Sequence, residues 1–114
     1  MKVFNRLPRE LSAIDLNNWL TGDTKIKPIL IDVRESWEYE IAKIEGAKLI
    51  SMAHIPSQID SLINDQPYVI FCHHGIRSMK ISLFLSQNGF SQVFNLTGGI
   101  EQWRRQIDSS IPFY

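Results

Sequence analysis

The chain holds a single cysteine, Cys72, among 114 residues. With no internal disulfide available, a domain this small is expected in a reducing compartment, where its thiol stays free. No apolar run approaches the length needed to cross a bilayer. From Met1 to Glu10, the residues Arg6, Pro8, Arg9 and Glu10 interrupt the unbroken apolar stretch that an export signal requires, so the cytoplasm is the expected location. Net charge is also missing: twelve basic residues balance twelve acidic ones. That removes the electrostatic footprint of a nucleic-acid or anionic-membrane binder and points to a small or protein-borne substrate.

What remains is ordinary globular composition, 44% hydrophobic and 21% charged, which argues against disorder. A chain of this length buries enough surface for one core, so residues 1–114 are expected to form a single domain, with its core at about 11–105.

Local patterns alternate between two periods. Ser12, with Asp15 three residues on, resembles a capping box opening a helix over about Ala13 to Thr21. Pro28 to Val33 is a short apolar run of the kind found in strands buried on both faces, and Tyr68 to Phe71 is a second. Ser36 can cap a short helix carrying Trp37, Tyr39 and Ile41, and Lys48 to Ser51 reads as a brief strand. Further helices are expected over Ser57 to Ile63, through Met79, Leu83 and Phe84 up to Gly89, and after Gly98-Gly99. Val93 to Leu96 is a third strand. Strands alternating with helices specify an α/β fold with a mainly parallel central sheet flanked by helices on both faces. Ligands in such sheets sit at the carboxyl ends of strands.

Cys72 stands at such an end, directly before the loop His73-His74-Gly75-Ile76-Arg77-Ser78. Unpaired N–H groups at the start of a helix favour an anion, Arg77 adds positive charge, and Gly75 permits a tight curl. These features suit a thiolate or persulfide anion on Cys72. The plainer reading is a buried cysteine that only fills the core, but its His, His, Gly and Arg flanks are not apolar packing. Three consecutive residues cannot converge on one ion, and His54 lies far along the chain, so no metal is expected. His73 and His74 are read instead as flanking the pocket. Gly98-Gly99 lacks the glycine spacing and following lysine of a phosphate loop and reads as a turn. Trp19, Trp37, Trp103, Met52 and Met79 read as core or groove packing, and Lys25 and Lys27 as a solvated loop.

Several motifs together resemble the rhodanese family, from about Leu11 to Arg105. These are Ile31-Asp32-Val33-Arg34-Glu35 with Glu38-Tyr39, then Ile44-Glu45-Gly46-Ala47, the Cys72 to Ser78 loop, and Leu96-Thr97-Gly98-Gly99-Ile100 with Trp103. The resemblance implies a sulfurtransferase that needs no cofactor. Cys72 would take sulfane sulfur from a donor such as thiosulfate and pass it to an acceptor thiol, cyanide or a protein partner. The backbone of His73, His74, Gly75, Ile76 and Arg77 would hold the charged sulfur, and Arg77 would bind an anionic donor. Asp32 and Arg34, with Glu38, read as an ion-pair brace for the loop. Lys43 stands where such families often carry histidine. Two alternatives stay open. One is a persulfide relay or partner-binding module. The other is a cysteine phosphatase or arsenate reductase, whose loops place five residues between cysteine and arginine where this chain has four, and carry arginine at the position of Ser78.

Overall fold

The computed structural model describes residues 7–114. The reading of the amino terminus as lacking an export signal lies outside the described residues for positions 1–6. Helix α1 covers Ala13–Thr21, and the Asp15 amide donates to Ser12 Oγ at 3.0 Å, which is the anticipated cap. Its far end has no helical N–H to satisfy its last carbonyls. Lys27 fills that role, its Nζ donating to the carbonyls of Trp19 (2.9 Å) and Gly22 (2.7 Å). Lys27 is therefore a helix-terminating group and not part of a solvated loop.

The sheet has five parallel strands, β1 (Arg9–Leu11), β2 (Ile29–Asp32), β3 (Lys48–Leu49), β4 (Tyr68–Phe71) and β5 (Val93–Leu96), in the order β1-β5-β4-β2-β3. Ile31 pairs with Ile70 and Asp32 with Phe71, so the two central strands end side by side. Successive residues of these strands face opposite layers. Leu30, Val69, Phe71 and Leu96 pack with Ala13 and Leu16 of α1 and with Ile100 and Trp103 of α5 (Gly99–Gln106). Ile31, Ile70 and Cys72 pack on the other face with Ile55 of α3 (Ile55–Gln58) and with Ile81 and Leu85 of α4 (Ile76–Ser86). The period of two thus divides one sheet between two apolar layers.

Three further expectations need correction. The helix expected over Ser57 to Ile63 begins and ends earlier: a 3-10 turn at Met52–His54 leads into α3 and a second turn at Ile59–Ser61. Pro56, with φ fixed and no N–H to lose, belongs in a first helical turn and pulls the start forward. Helix α2 (Ser36–Ile41) is capped by Glu35, not Ser36, and the Glu35 amide donates to Glu38 Oε1 at 3.1 Å. Trp37 is 59% exposed, its ring set edge-to-face with that of Tyr114, so it is not core.

Candidate active site

Strand β4 stops at Phe71 and α4 starts at Ile76, which leaves Cys72 to Gly75 to make the turn. Gly75 adopts φ +103°, a left-handed conformation that costs a side-chain-bearing residue free energy. The chain curls so that two amides converge on Cys72 Sγ, from Gly75 at 3.1 Å and from Ser78 at 3.3 Å. The thiol in turn donates to Ser78 Oγ at 3.3 Å, and that hydroxyl donates to Asn95 Oδ1 at 2.5 Å. A cysteine serving only as filler has no need of two N–H donors. Cys72 itself is only 1% exposed, so the sulfur lies beneath the loop and not on open surface.

The loop is backed by the opening of α5. The Ile100 amide donates to the Cys72 carbonyl at 2.9 Å and the Glu101 amide to that of His73 at 3.2 Å. This approach leaves no room at Gly99, where a Cβ would stand 2.4 Å from the Cys72 oxygen and 2.3 Å from that of His73. The Gly98-Gly99 pair is a turn, as expected, and it also clamps the cysteine backbone. Asn95 completes the support. Its Nδ2 donates to the Gly75 carbonyl (3.2 Å) and to the Glu10 carboxylate, tying the loop to β5 and β1.

Charge beside the loop is arranged in pairs. Arg34 and Asp32 are both fully buried, joined through Nη2 to Oδ2 at 2.7 Å and Nε to Oδ1 at 2.9 Å. Arg34 also donates to the Ala42 carbonyl and to the Tyr114 hydroxyl, which fixes the end of α2 against the last residue. Glu38 takes both terminal nitrogens of Arg77, at 2.7 and 3.0 Å, and the Tyr114 hydroxyl at 2.8 Å. Burial alone would raise the Glu38 carboxyl, but hydrogen bonds from Arg77, the Glu35 amide and Tyr114 hold it down to about 2. Burial, together with the Glu38 charge and against the pull of Arg34, pushes Tyr114 up to about 12, so its phenol keeps the proton it donates. Burial and the neighbouring His74 lower His73, whose ring is stacked between His74 and Tyr114 at 4.0 Å on each side.

The structure thus gathers Cys72, His73, His74, Gly75, Ile76 and Arg77 into one loop, with Asp32 and Arg34 alongside. One expectation shifts: Arg77 is engaged end-on by Glu38, each terminal nitrogen on one carboxylate oxygen, and the contacts on Sγ come from amides and Ser78. Lys43 lies over the Tyr39 ring, by an open hollow of about 590 Å³ that none of the loop residues line. The groove that does adjoin the loop, about 420 Å³, is walled by His73, His74, Glu101, Arg105, Phe113 and Tyr114. Sequence reasoning missed Ser78, Asn95 and Tyr114. Ser78 had a signal, as a hydroxyl six residues after the cysteine in the first turn of a helix, but Tyr114 had none. Among the described residues, no three His, Cys, Asp or Glu side chains gather as metal ligands.

A parallel α/β sheet that cradles a cysteine in the loop after a central strand defines the class of protein. Comparison with known proteins gives the family: the rhodanese-like domain model matches residues 12–106, and the chain belongs to that family. It is 33% identical over 82 residues to the thiosulfate sulfurtransferase GlpE of Coxiella burnetii, covering 72% of this chain and 77% of that one. It is 37% identical over 89 residues, 75% of its length, to the rhodanese-like/PpiC domain-containing protein 12, chloroplastic, of Arabidopsis thaliana, and spans 30% of that relative. Among solved structures, a rhodanese-like domain protein from Staphylococcus aureus superposes with a TM-score of 0.78 at 29% identity, covering 93% of this chain and 98% of that one.

Proposed function

We propose that the chain is a sulfurtransferase that carries sulfane sulfur as a persulfide on Cys72. The convergence of the Gly75 and Ser78 amides on Sγ is the observation that supports this reading most directly. Donors fixed in place before the reaction stabilise negative charge without reorganisation, and both the attacking thiolate and the product persulfide are anions. Cys72 Sγ attacks the outer sulfur of a donor such as thiosulfate. A new S–S bond forms, the donor's S–S bond breaks, and its electron pair leaves with sulfite. An acceptor thiol or cyanide then attacks the terminal sulfur and returns Cys72 to the thiolate. Asp32 and Arg34 brace α2 beneath the site, and His73, His74 and Ile76 form its rim. Names among the relatives support the class of reaction; the acceptor is assigned here only by its chemistry, as a thiophile. The proposed setting is the cytoplasm. Among the described residues no helix is long and apolar enough to cross a membrane.

The test is intact-mass measurement after incubation with thiosulfate or another sulfane-sulfur donor. The expected result is a gain of one sulfur atom on the parent chain and none on Cys72→Ser, whose hydroxyl cannot hold a transferable persulfide. Sulfur retained by the serine variant, or a parent that gains none from any donor, would overturn the proposal.

A further inference from the structure

Arg77 is the cation nearest the sulfur loop, yet both its terminal nitrogens are taken by Glu38, whose side chain is 4% exposed. The neighbouring guanidinium of Arg34 is closed off by Asp32 in the same way. Tyr114 adds a third donor to Glu38 and so fixes the carboxylate against Arg77. The loop therefore presents amides that recognise one anionic sulfur, beside ion pairs whose net charge is zero. A donor that brings one negative charge is met by those amides. Arg105, on the wall of the groove, shares Glu101 with Arg104 and is the remaining cation there among the described residues. A donor that brings two charges finds the loop's own arginine, Arg77, already held by Glu38, and that carboxylate close by.

We infer that Glu38 is a specificity-determining residue that, by neutralising Arg77, makes the site select singly charged sulfane-sulfur donors over dianionic ones. The inference rests on the sulfurtransferase reading above. It predicts a substrate class of thiosulfonates and persulfides carrying one charge near the transferred sulfur, with thiosulfate as the poorer donor. Glu38 acts through Arg77 and touches no reacting atom.

Two donors of nearly identical shape isolate the effect. In methanethiosulfonate a methyl group replaces one oxygen of thiosulfate, so it carries one charge instead of two. Either way Cys72 Sγ bonds to the terminal sulfur as the donor S–S bond breaks, and the electron pair leaves with methanesulfinate or with sulfite. The readout is the ratio of kcat/KM for thiosulfate to that for methanethiosulfonate, which a general loss of structure would not move in one direction. The parent should favour methanethiosulfonate. In Glu38→Gln, Arg77 is freed and the ratio should rise about tenfold, the scale of one unit charge acting on another across a partly wet site. A second variant, Arg77→Leu with Glu38→Gln, removes the pair together and should keep the parent ratio; it carries the test if the single variant fails to fold. A parent that favours thiosulfate, a Glu38→Gln ratio that stays or falls, or a double variant whose ratio falls would overturn the inference and return Arg77 to direct donor binding. If the parent gains no sulfur from either donor, the failure belongs to the sulfurtransferase reading instead.

Discussion

Ser78 reaches the cysteine sulfur twice, by its amide and by its hydroxyl, while its own proton lies on Asn95 Oδ1. Removing the hydroxyl would leave the Asn95 oxygen, on a residue only 3% exposed, without its donor. A buried acceptor stripped of its partner costs about 1–3 kcal/mol. Ser78→Ala is therefore expected to lower stability by about 1–2 kcal/mol in urea titration and to slow sulfur loading onto Cys72, because one of the groups lining the sulfur is gone. Unchanged stability would mean that Asn95 finds another donor and that the Ser78 contact is incidental. The burial of Cys72 carries a second expectation. A small alkylating reagent should label the thiol much faster than a bulky aromatic disulfide, with both rates converging once the chain is unfolded in denaturant. Equal rates on the folded protein would show that the loop does not cover the sulfur.

At the scale of elements, the site is made where three strand ends meet: β4 delivers Cys72, β5 delivers Asn95 and the Gly98-Gly99 turn, and β2 delivers Asp32 and Arg34. The amide of Gly99's successor, Ile100, grips the Cys72 carbonyl, which is why no side chain fits at position 99. A Cβ there would stand 2.3 to 2.5 Å from backbone atoms that cannot swing aside, on a residue with φ +61°. Gly99→Ala should cost about 2 kcal/mol or more through overpacking and a left-handed alanine, and it should lose sulfur transfer out of proportion to that cost. Thermal melting and loading kinetics together check this, and wild-type activity in a folded variant would refute the clamp. The strands and the cysteine loop were legible in the sequence because short apolar runs followed by Gly and charge obey local rules. Strand β1 was not, since Arg9–Leu11 is a three-residue edge strand without an apolar alternation and is held by pairing with β5. The broken helical segment was misplaced for a different reason: Pro56 marks a first helical turn and so an earlier start, a local cue that apolar spacing over Ser57 to Ile63 passes by.

Across the whole molecule, the carboxyl-terminal segment returns to the site and joins groups that are far apart in the chain. Tyr114 stacks on His73, accepts from Arg34 at 2.6 Å and donates to Glu38. Glu38 in turn reaches Arg77, 39 positions away. No sequence periodicity encodes such contacts, so the motif residues Asp32, Arg34 and Glu38 could be read as a brace, but their connection through Tyr114 could not. The same network links folding to pH. The ordinary value of a glutamate carboxyl is 4.5, and in the folded chain Glu38 is held down to about 2. Its folded value is depressed, so the unfolded chain binds the proton more tightly. The stabilisation is then fully present above about pH 4.5 and is lost as pH falls from there toward 2. Urea-unfolding free energies measured stepwise from pH 6 down to pH 2, as a chosen range, should therefore fall more steeply for the parent than for Glu38→Gln, which has no carboxyl to protonate. Tyr114→Phe removes one of the donors that hold the carboxylate down and should flatten the same slope by a smaller amount. If parent, Glu38→Gln and Tyr114→Phe lose stability in parallel across that range, the Glu38 network does not couple protonation to folding. The acid sensitivity would then have to come from groups outside that network.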